Sequence, residues 1–106
     1  MPAELRLEFH QVFLDELLAV ERFLGRFQPS RGRDFTRAVF DFAYSVVATV
    51  PEGFPRYAHP LSPELPLRRA VFRRKYALLY RLEGAELTFL YFYPTRRDIS
   101  SVALSV

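Results

Sequence analysis

Cysteine is absent from this 106-residue chain, and so are long hydrophobic runs. The lack of cysteine excludes disulfides, thiolate metal sites and cysteine nucleophiles. Charged residues such as Glu4, Arg6 and Glu8 interrupt the N-terminal apolar positions, and no later run approaches the ~18 apolar residues that a membrane span requires. We therefore expect a cytoplasmic protein that has no signal peptide and no membrane partner.

Clusters of metal-ligating residues are missing as well. The two histidines, His10 and His59, lie far apart in the sequence, and neither stands beside carboxylates at the spacing of a metal site. The sequence therefore predicts no metal and no cofactor.

The chain is rich enough in apolar residues to build a core, since 50% of its residues are hydrophobic and 25% are charged. A length of 106 residues is close to the usual size of one domain. We expect residues 1–106 to form a single domain.

Charge is distributed unevenly along the chain. Residues 1–50 contain six arginines and seven acids, whereas residues 51–106 contain eight arginines, Lys75 and five acids, so the net charge is −1 for the first part and +4 for the second. No acid occurs between residues 67 and 82. This stretch is expected to attract a polyanion or a strongly acidic partner, although a basic hairpin that serves only solubility is the alternative.

Hydrophobic periodicity predicts a strand and two helices in the first half. Residues 5–9 alternate between apolar and charged side chains, which is typical of a strand with one buried face. A helical spacing follows, and the break at residues 28–32 divides it into two core-facing stripes. The stripes comprise Phe13, Leu17, Val20, Leu24 and Phe27 on the first helix, and Phe35, Val39, Phe42, Val46 and Val50 on the second.

Residues 51–66 contain five of the eight prolines, and the sequence predicts a loop there. His59 lies in its middle, and a lone loop histidine is expected to be exposed rather than catalytic.

Three strands are predicted after the loop, at residues 67–72, 76–82 and 87–93, joined by two short hairpin turns. Strict alternation in the last strand would place Leu87, Phe89, Tyr91 and Tyr93 on one face. The predicted fold is α+β: an N-terminal strand, an antiparallel helical hairpin and then a three-stranded antiparallel meander, which together form one sheet of about four strands.

This order of elements, together with particular residues of the second half, resembles the RelE/ParE family of bacterial type II toxin–antitoxin systems. The residues that carry the resemblance are Arg68 and Arg69, the run from Tyr76 to Arg81, an acidic glycine turn, an aromatic strand, and the ending Tyr93, Pro94, Thr95, Arg96, Arg97 and Asp98. The resemblance covers nearly the whole chain. It implies a toxin that inhibits growth, a role in plasmid stabilization, and a cognate antitoxin, which would be a small protein with an amphipathic segment.

Two modes of action are implied by the resemblance. The ParE-like mode blocks DNA gyrase without catalysis, and the neutral residues between Tyr76 and Tyr80 favour it. The RelE-like mode cleaves mRNA on the ribosome, and its catalytic residues would be Arg69, Arg97 and Tyr93. Against the second mode, Ala77 occupies a position that is often basic in the RNases, and residues 99–106 offer no Tyr or His as an acid.

Other basic and tyrosine residues are candidates for binding the target or a nucleic acid. They are Arg68, Arg73, Arg74, Lys75, Arg81, Tyr91 and Arg96. Ordinary roles are open for several candidates: Tyr76 and Tyr80 as core residues, and Arg97 with Asp98 as a local ion pair. A third hypothesis is an RNA-binding or assembly domain without toxicity, because basic strands interleaved with aromatics can stack bases and pair phosphates.

Overall fold

The computed structural model describes residues 4–104, which form two helices and five strands. The elements are β1 (Arg6–Phe9), α1 (Gln11–Leu24), α2 (Pro29–Phe42) with a π-helical continuation (Ala43–Val47), β2 (Arg56–His59), β3 (Ser62–Phe72), β4 (Tyr76–Glu83) and β5 (Glu86–Pro94). The predicted α+β class and the order of strand, helical hairpin and meander are confirmed. No helix within residues 4–104 is both long and apolar enough to cross a membrane.

The sheet has the strand order β1-β5-β4-β3-β2. β1 pairs with β5 in parallel, and the remaining neighbours are antiparallel. The fifth strand comes from the proline-rich segment, because residues 51–66 are not all loop as predicted but contain β2 and the start of β3. Pro63 and Pro66 precede Leu67, the first residue of β3 that pairs with β4, so their missing N–H groups do not interrupt that ladder.

The two helices bury shorter stripes than the sequence predicts. α1 ends at Leu24, and Phe27 beyond it is 92% exposed rather than buried. In the continuation of α2, the amide of Ala48 donates to the Ala43 carbonyl at 2.9 Å, a five-residue step that widens the turn. The widened turn leaves Val46 and Val50 exposed, so their predicted core positions are wrong. The buried stripe of this helix is instead Phe35, Val39, Ala43 and Val47.

A bulge in β5 changes which side chains face the helices. Leu79 pairs with Tyr91, whereas the next residue, Tyr80, pairs with Phe89, so Leu90 is an extra residue in the ladder. Phe89 and Phe92 therefore both join the helix-side core, while Tyr91 lies on the opposite face. The predicted strict alternation through β5 is wrong at this bulge.

The sheet face that points away from the helices is covered by the chain itself. We name it the covered face; its core consists of Ala77, Leu79, Tyr91, Tyr93 and Ile99. Val102 and Leu104 pack against this cluster, so the segment 99–104 lies over the sheet. One face of the sheet thus packs on the helical hairpin and the other beneath the C-terminal segment.

Candidate functional site

The turn between β3 and β4 places two arginines in an unfavourable backbone conformation. The Lys75 amide donates to the Phe72 carbonyl at 3.2 Å, which closes a turn within the three-residue connection 73–75. Arg73 and Arg74 have φ angles of 53° and 63°, the pattern of a type I′ turn, where Asn-Gly is preferred. An arginine in the left-handed region costs about 1 kcal/mol. Both side chains are exposed.

Beside this turn lies a concave surface built around Tyr76. One recess of about 390 Å³ has Arg31, Arg73 and Lys75 in its lining. An adjoining recess of about 400 Å³ shares Lys75 and Tyr76 with it and adds Arg74 and Arg96. A third, of about 210 Å³, shares Tyr76 and includes Arg97 in its lining. We name the three together the basic groove.

Tyr76 is held in place by the aromatic core beneath the groove. Its ring stacks on Phe92, with centroids 5.3 Å apart and planes 10° from parallel, and meets the edge of Phe35 at 5.0 Å. These contacts fix the ring in one orientation, so the centre of the groove is rigid while the arginines around it are on flexible stems.

The end of α1 and the turn that follows it form an aromatic rim on the other side of the groove. Phe23, which lines two of the recesses, is 59% exposed, and Phe27 is 92% exposed. The Arg26 guanidinium carbon lies 4.3 Å from the Phe23 ring centroid and 5.2 Å from that of Phe27, within range of a cation–π contact. Two large rings and a guanidinium are therefore presented together to solvent.

Arg97 lies at the end of the groove and forms an ion pair with Glu16 of α1 rather than with its neighbour Asp98. Its Nη1 donates to Glu16 Oε1 at 2.8 Å. Glu16 raises the pKa of Arg97 above its ordinary value, and the Tyr91 side chain acts in the same direction. The predicted pair with Asp98 is wrong, because that carboxylate instead accepts from the Ser100 amide at 2.9 Å, an interaction that lowers the pKa of Asp98.

The covered face holds a second polar cluster. Arg69 Nε donates to the Tyr93 hydroxyl at 2.9 Å, and the Tyr91 and Tyr93 rings stack with centroids 5.6 Å apart. Burial raises the pKa of Tyr57, and the neighbouring Tyr93 adds to the shift, while Arg69 opposes it. Tyr91 and Tyr93 are almost fully buried, so this cluster is closed to a large ligand.

Arg68 and Arg81 have local partners on β3 and β4. Arg68 Nη1 donates to the Phe54 carbonyl at 2.7 Å and so ties the segment before β2 to the sheet. Arg81 is half-buried, and its Nη2 lies 3.8 Å from Glu83. Its buried Nε has no hydrogen-bond partner among residues 4–104.

His59 is fully buried, so its predicted exposure is wrong. The Leu61 amide donates to Nδ1 at 3.1 Å, and the nitrogen on the other side of the ring, Nε2, lies 2.9 Å from the Ile99 carbonyl. Since Nδ1 accepts, Nε2 carries the proton and donates. His59 therefore ties β2 to the C-terminal segment.

The structure divides the candidate residues between two places. Those in the lining of the basic groove are Arg73, Arg74, Lys75, Arg96 and Arg97. Arg69, Tyr91 and Tyr93 lie on the covered face, and Arg97, which also interacts with Tyr91, is paired with Glu16. The sequence reasoning missed Phe23, Arg26 and Arg31 as site residues. The available signal was Phe27, an aromatic residue between Gly25, where α1 ends, and Pro29.

Comparison with solved structures identifies the fold. The chain is similar to a chain of the chromosomal ParDE TA system from P. aeruginosa, with a TM-score of 0.67 and 15% sequence identity over 85% of this chain and 95% of that chain. No protein-family model and no curated protein matches the sequence. The expected likeness is thus confirmed at the level of the fold, which the chain shares with a chain of the ParDE system.

Proposed function

We propose that residues 1–106 form a single toxin domain of a type II toxin–antitoxin system, which inhibits growth in the cytoplasm by a ParE-like block of DNA gyrase. The observation that carries the proposal is the fold shared with a chain of the ParDE system over most of both chains. Fold alone does not define function, so the placement of the side chains must support the same conclusion.

The partners of the RNase candidates support a non-catalytic mode. Attack of a 2′-hydroxyl on the adjacent phosphate needs cations at the developing charge and an acid at the leaving oxygen, all around one phosphate. Arg69 and Tyr93 are instead bonded to each other beneath residues 99–104, while Arg97 is paired with Glu16 on α1. A protein that acts by binding needs no such assembly.

Binding of a cognate antitoxin would explain why the basic groove and the aromatic rim are exposed. The basic groove and the aromatic rim present positive charge and apolar rings side by side. An acidic amphipathic segment of a small antitoxin could cover both, with carboxylates on the arginines and apolar side chains on the rings.

Pulse labelling of DNA and protein synthesis just after induced expression in bacteria tests the proposal. We expect DNA synthesis to fall first, and purified gyrase to lose supercoiling activity when the protein is added. The double variant Arg69→Ala/Tyr93→Phe should remain toxic, because a gyrase block does not use this pair. An Arg97→Ala variant tests the edge of the groove in the same assay.

A RelE-like mRNA endonuclease is the second candidate, and the observation in its favour is the 2.9 Å bond between Arg69 Nε and the Tyr93 hydroxyl. An early fall in protein synthesis that disappears in Arg69→Ala/Tyr93→Phe would establish it instead. Unchanged growth and unchanged synthesis would contradict both modes and leave the RNA-binding or assembly domain.

A further inference from the structure

We propose that the open edge of β1 binds a second copy of this chain, so that two β1 strands pair antiparallel around a two-fold axis at Leu7 and join the two sheets into one. The proposal goes beyond the toxin function and does not depend on it, because it concerns self-association alone.

The edge of β1 offers backbone groups to another strand. Within residues 4–104, β1 is the first strand of the sheet and pairs on one side only, with β5. The Arg6 amide donates to the Ala85 carbonyl at 2.8 Å. The His10 amide donates to the Phe89 carbonyl at 2.9 Å. Peptide groups alternate in direction along a strand, so the N–H and C=O groups of Leu7 point away from β5, toward solvent.

The opposite edge of the sheet, formed by β2, is protected against such pairing. Prolines at positions 55 and 60 flank Arg56–His59, and the register shifts between Tyr57 and His59. Prolines and bulges are devices that natural sheets use to block an exposed edge. β1 contains no proline, and all of its residues pair with β5 in unbroken register. Of these two edges, β1 is therefore the one that is free to accept a strand.

The sequence around β1 is complementary to itself. Apolar residues occupy the odd positions and opposite charges the even ones, in the order Leu5, Arg6, Leu7, Glu8 and Phe9. An antiparallel pair centred on Leu7 places Arg6 of each copy opposite Glu8 of the other, and Leu5 of each copy opposite Phe9 of the other. Every apolar side chain thus meets an apolar one and each charge meets its opposite, which favours a second copy over a strand of another protein.

Charge also selects the register of the two strands. A slide of two residues keeps the outward backbone groups facing each other, but it sets Arg6 against Arg6 in one direction and Glu8 against Glu8 in the other. Like charges directly opposite each other are destabilising. The side chains of Arg6 and Glu8 are 70% and 54% exposed, and their own contact within the chain is loose, at 3.9 Å. The Glu8 carboxylate therefore remains available to Arg6 of the other copy.

The helix side of this edge supplies apolar surface to the contact. Leu5, Leu7 and Phe9 are partly buried against the helix-side core. Tyr44 is 56% exposed, and its ring centroid lies 6.1 Å from that of Phe9. A second copy would cover these side chains further, and the two-fold axis keeps both helical hairpins on the same side of the joined sheet. Because one strand pair is a small interface, we expect a dissociation constant on the order of 10 μM.

Sedimentation velocity of the purified chain between about 1 and about 300 μM tests the self-association, and we expect a shift from monomer to dimer within this range. The key variants are Arg6→Glu and Glu8→Arg. Each variant alone sets like charges opposite each other twice in the symmetric contact, so its dimer should weaken about tenfold or more. An equimolar mixture of the two variants restores opposite charges at both places and should dimerise like the wild type.

The matched controls are Arg56→Glu and Glu64→Arg, which reverse exposed charges on β2 and β3 and should leave dimerisation unchanged. Circular dichroism on every variant separates a lost contact from a lost fold. Amide exchange of the wild type gives a readout that needs no variant: exchange at Leu7 should slow as the protein concentration rises, whereas the His10 amide, already bonded to β5, should not respond.

Three outcomes would overturn the proposal. The first is a wild-type chain that stays monomeric over the whole range. The second is a dimer that either charge variant forms alone as readily as the wild type, because the contact would then lie elsewhere. The third is a mixture of the two variants that associates no better than each variant by itself.

Discussion

The covered face and the basic groove are made from the same residue types but differ in what those residues can do. On the covered face, Arg69 is bonded to Tyr93, and residues 99–104 lie over the tyrosines. Around the groove, Arg73, Arg74 and Lys75 are exposed beside Tyr76. A cation that is paired and covered stabilises the protein, whereas a cation that is open and surrounded by like charges is available to a ligand.

The largest loss of stability is expected if the two helices that form one wall of the basic groove are forced apart. A Cβ at Gly32 would lie 2.2 Å from the Glu21 carbonyl oxygen of α1, far inside van der Waals contact. We expect Gly32→Ala to lower the free energy of unfolding by about 3 kcal/mol, because the backbone must shift to admit the methyl group. Urea denaturation measures the loss, with Arg33→Ala on the exposed side of α2 as a control that should change little. A wild-type midpoint in Gly32→Ala would contradict the close packing of the two helices.

The covered face alone is tested by Ile99→Ala. Ile99 is 3% exposed and belongs to the cluster with Tyr91 and Tyr93. Its truncation should cost about 2 kcal/mol in thermal or urea unfolding, since it leaves a cavity under the C-terminal segment. The control is Leu61→Ala at an exposed site. If Ile99→Ala is as stable as the control, residues 99–104 do not cover the sheet in solution.

The burial of Tyr80 in the helix-side core can be tested by the pH dependence of stability. Its hydroxyl donates to the Pro51 carbonyl at 2.5 Å, and burial raises its pKa to about 12 from 10.0. The raised folded-state pKa means that its contribution to stability is complete below pH 10 and is lost as pH rises through about 12. We expect Tyr80→Phe to cost about 1.5 kcal/mol at neutral pH, by leaving a carbonyl unpaired, and to show a shallower loss of stability above pH 10. Unfolding midpoints measured from pH 7 to 12 check this against the exposed control Tyr44→Phe, which should retain the wild-type profile.

The smallest effect on stability is expected at the β3–β4 turn, where substitution should raise the free energy of unfolding rather than lower it. Arg73→Asn/Arg74→Gly relieves two positive-φ arginines, but the introduced glycine adds entropy to the unfolded chain, so the free energy of unfolding should rise by only about 0.5 kcal/mol. A gain in stability would show that the two arginines at positive φ destabilise the fold. A loss of stability would instead show that the arginines are structural.

Local sequence patterns predicted the helices and the main strands because these elements depend on the spacing of neighbouring residues. The spacing of Phe13 and Leu17 on α1 and the alternation of β4, with Tyr76, Leu78 and Tyr80 on one face, follow from the geometry of a helix and a strand. The run of basic residues at 73–75 was recognised as a hairpin tip for the same reason. The order of these elements was sufficient to predict the fold class that the ParDE comparison supports.

By itself, the sequence determined the class of fold, the elements in their order and the basic character of the second half, because side-chain period and charge are properties of neighbouring residues. Only the tertiary structure decided which arginines are open and which are covered. The bulge at Leu90, the strand formed by Arg56–His59, the burial of His59 and the Arg97–Glu16 pair all depend on partners far along the chain. No local pattern specifies such contacts, since they form only when the sheet, the helical hairpin and the C-terminal segment pack together.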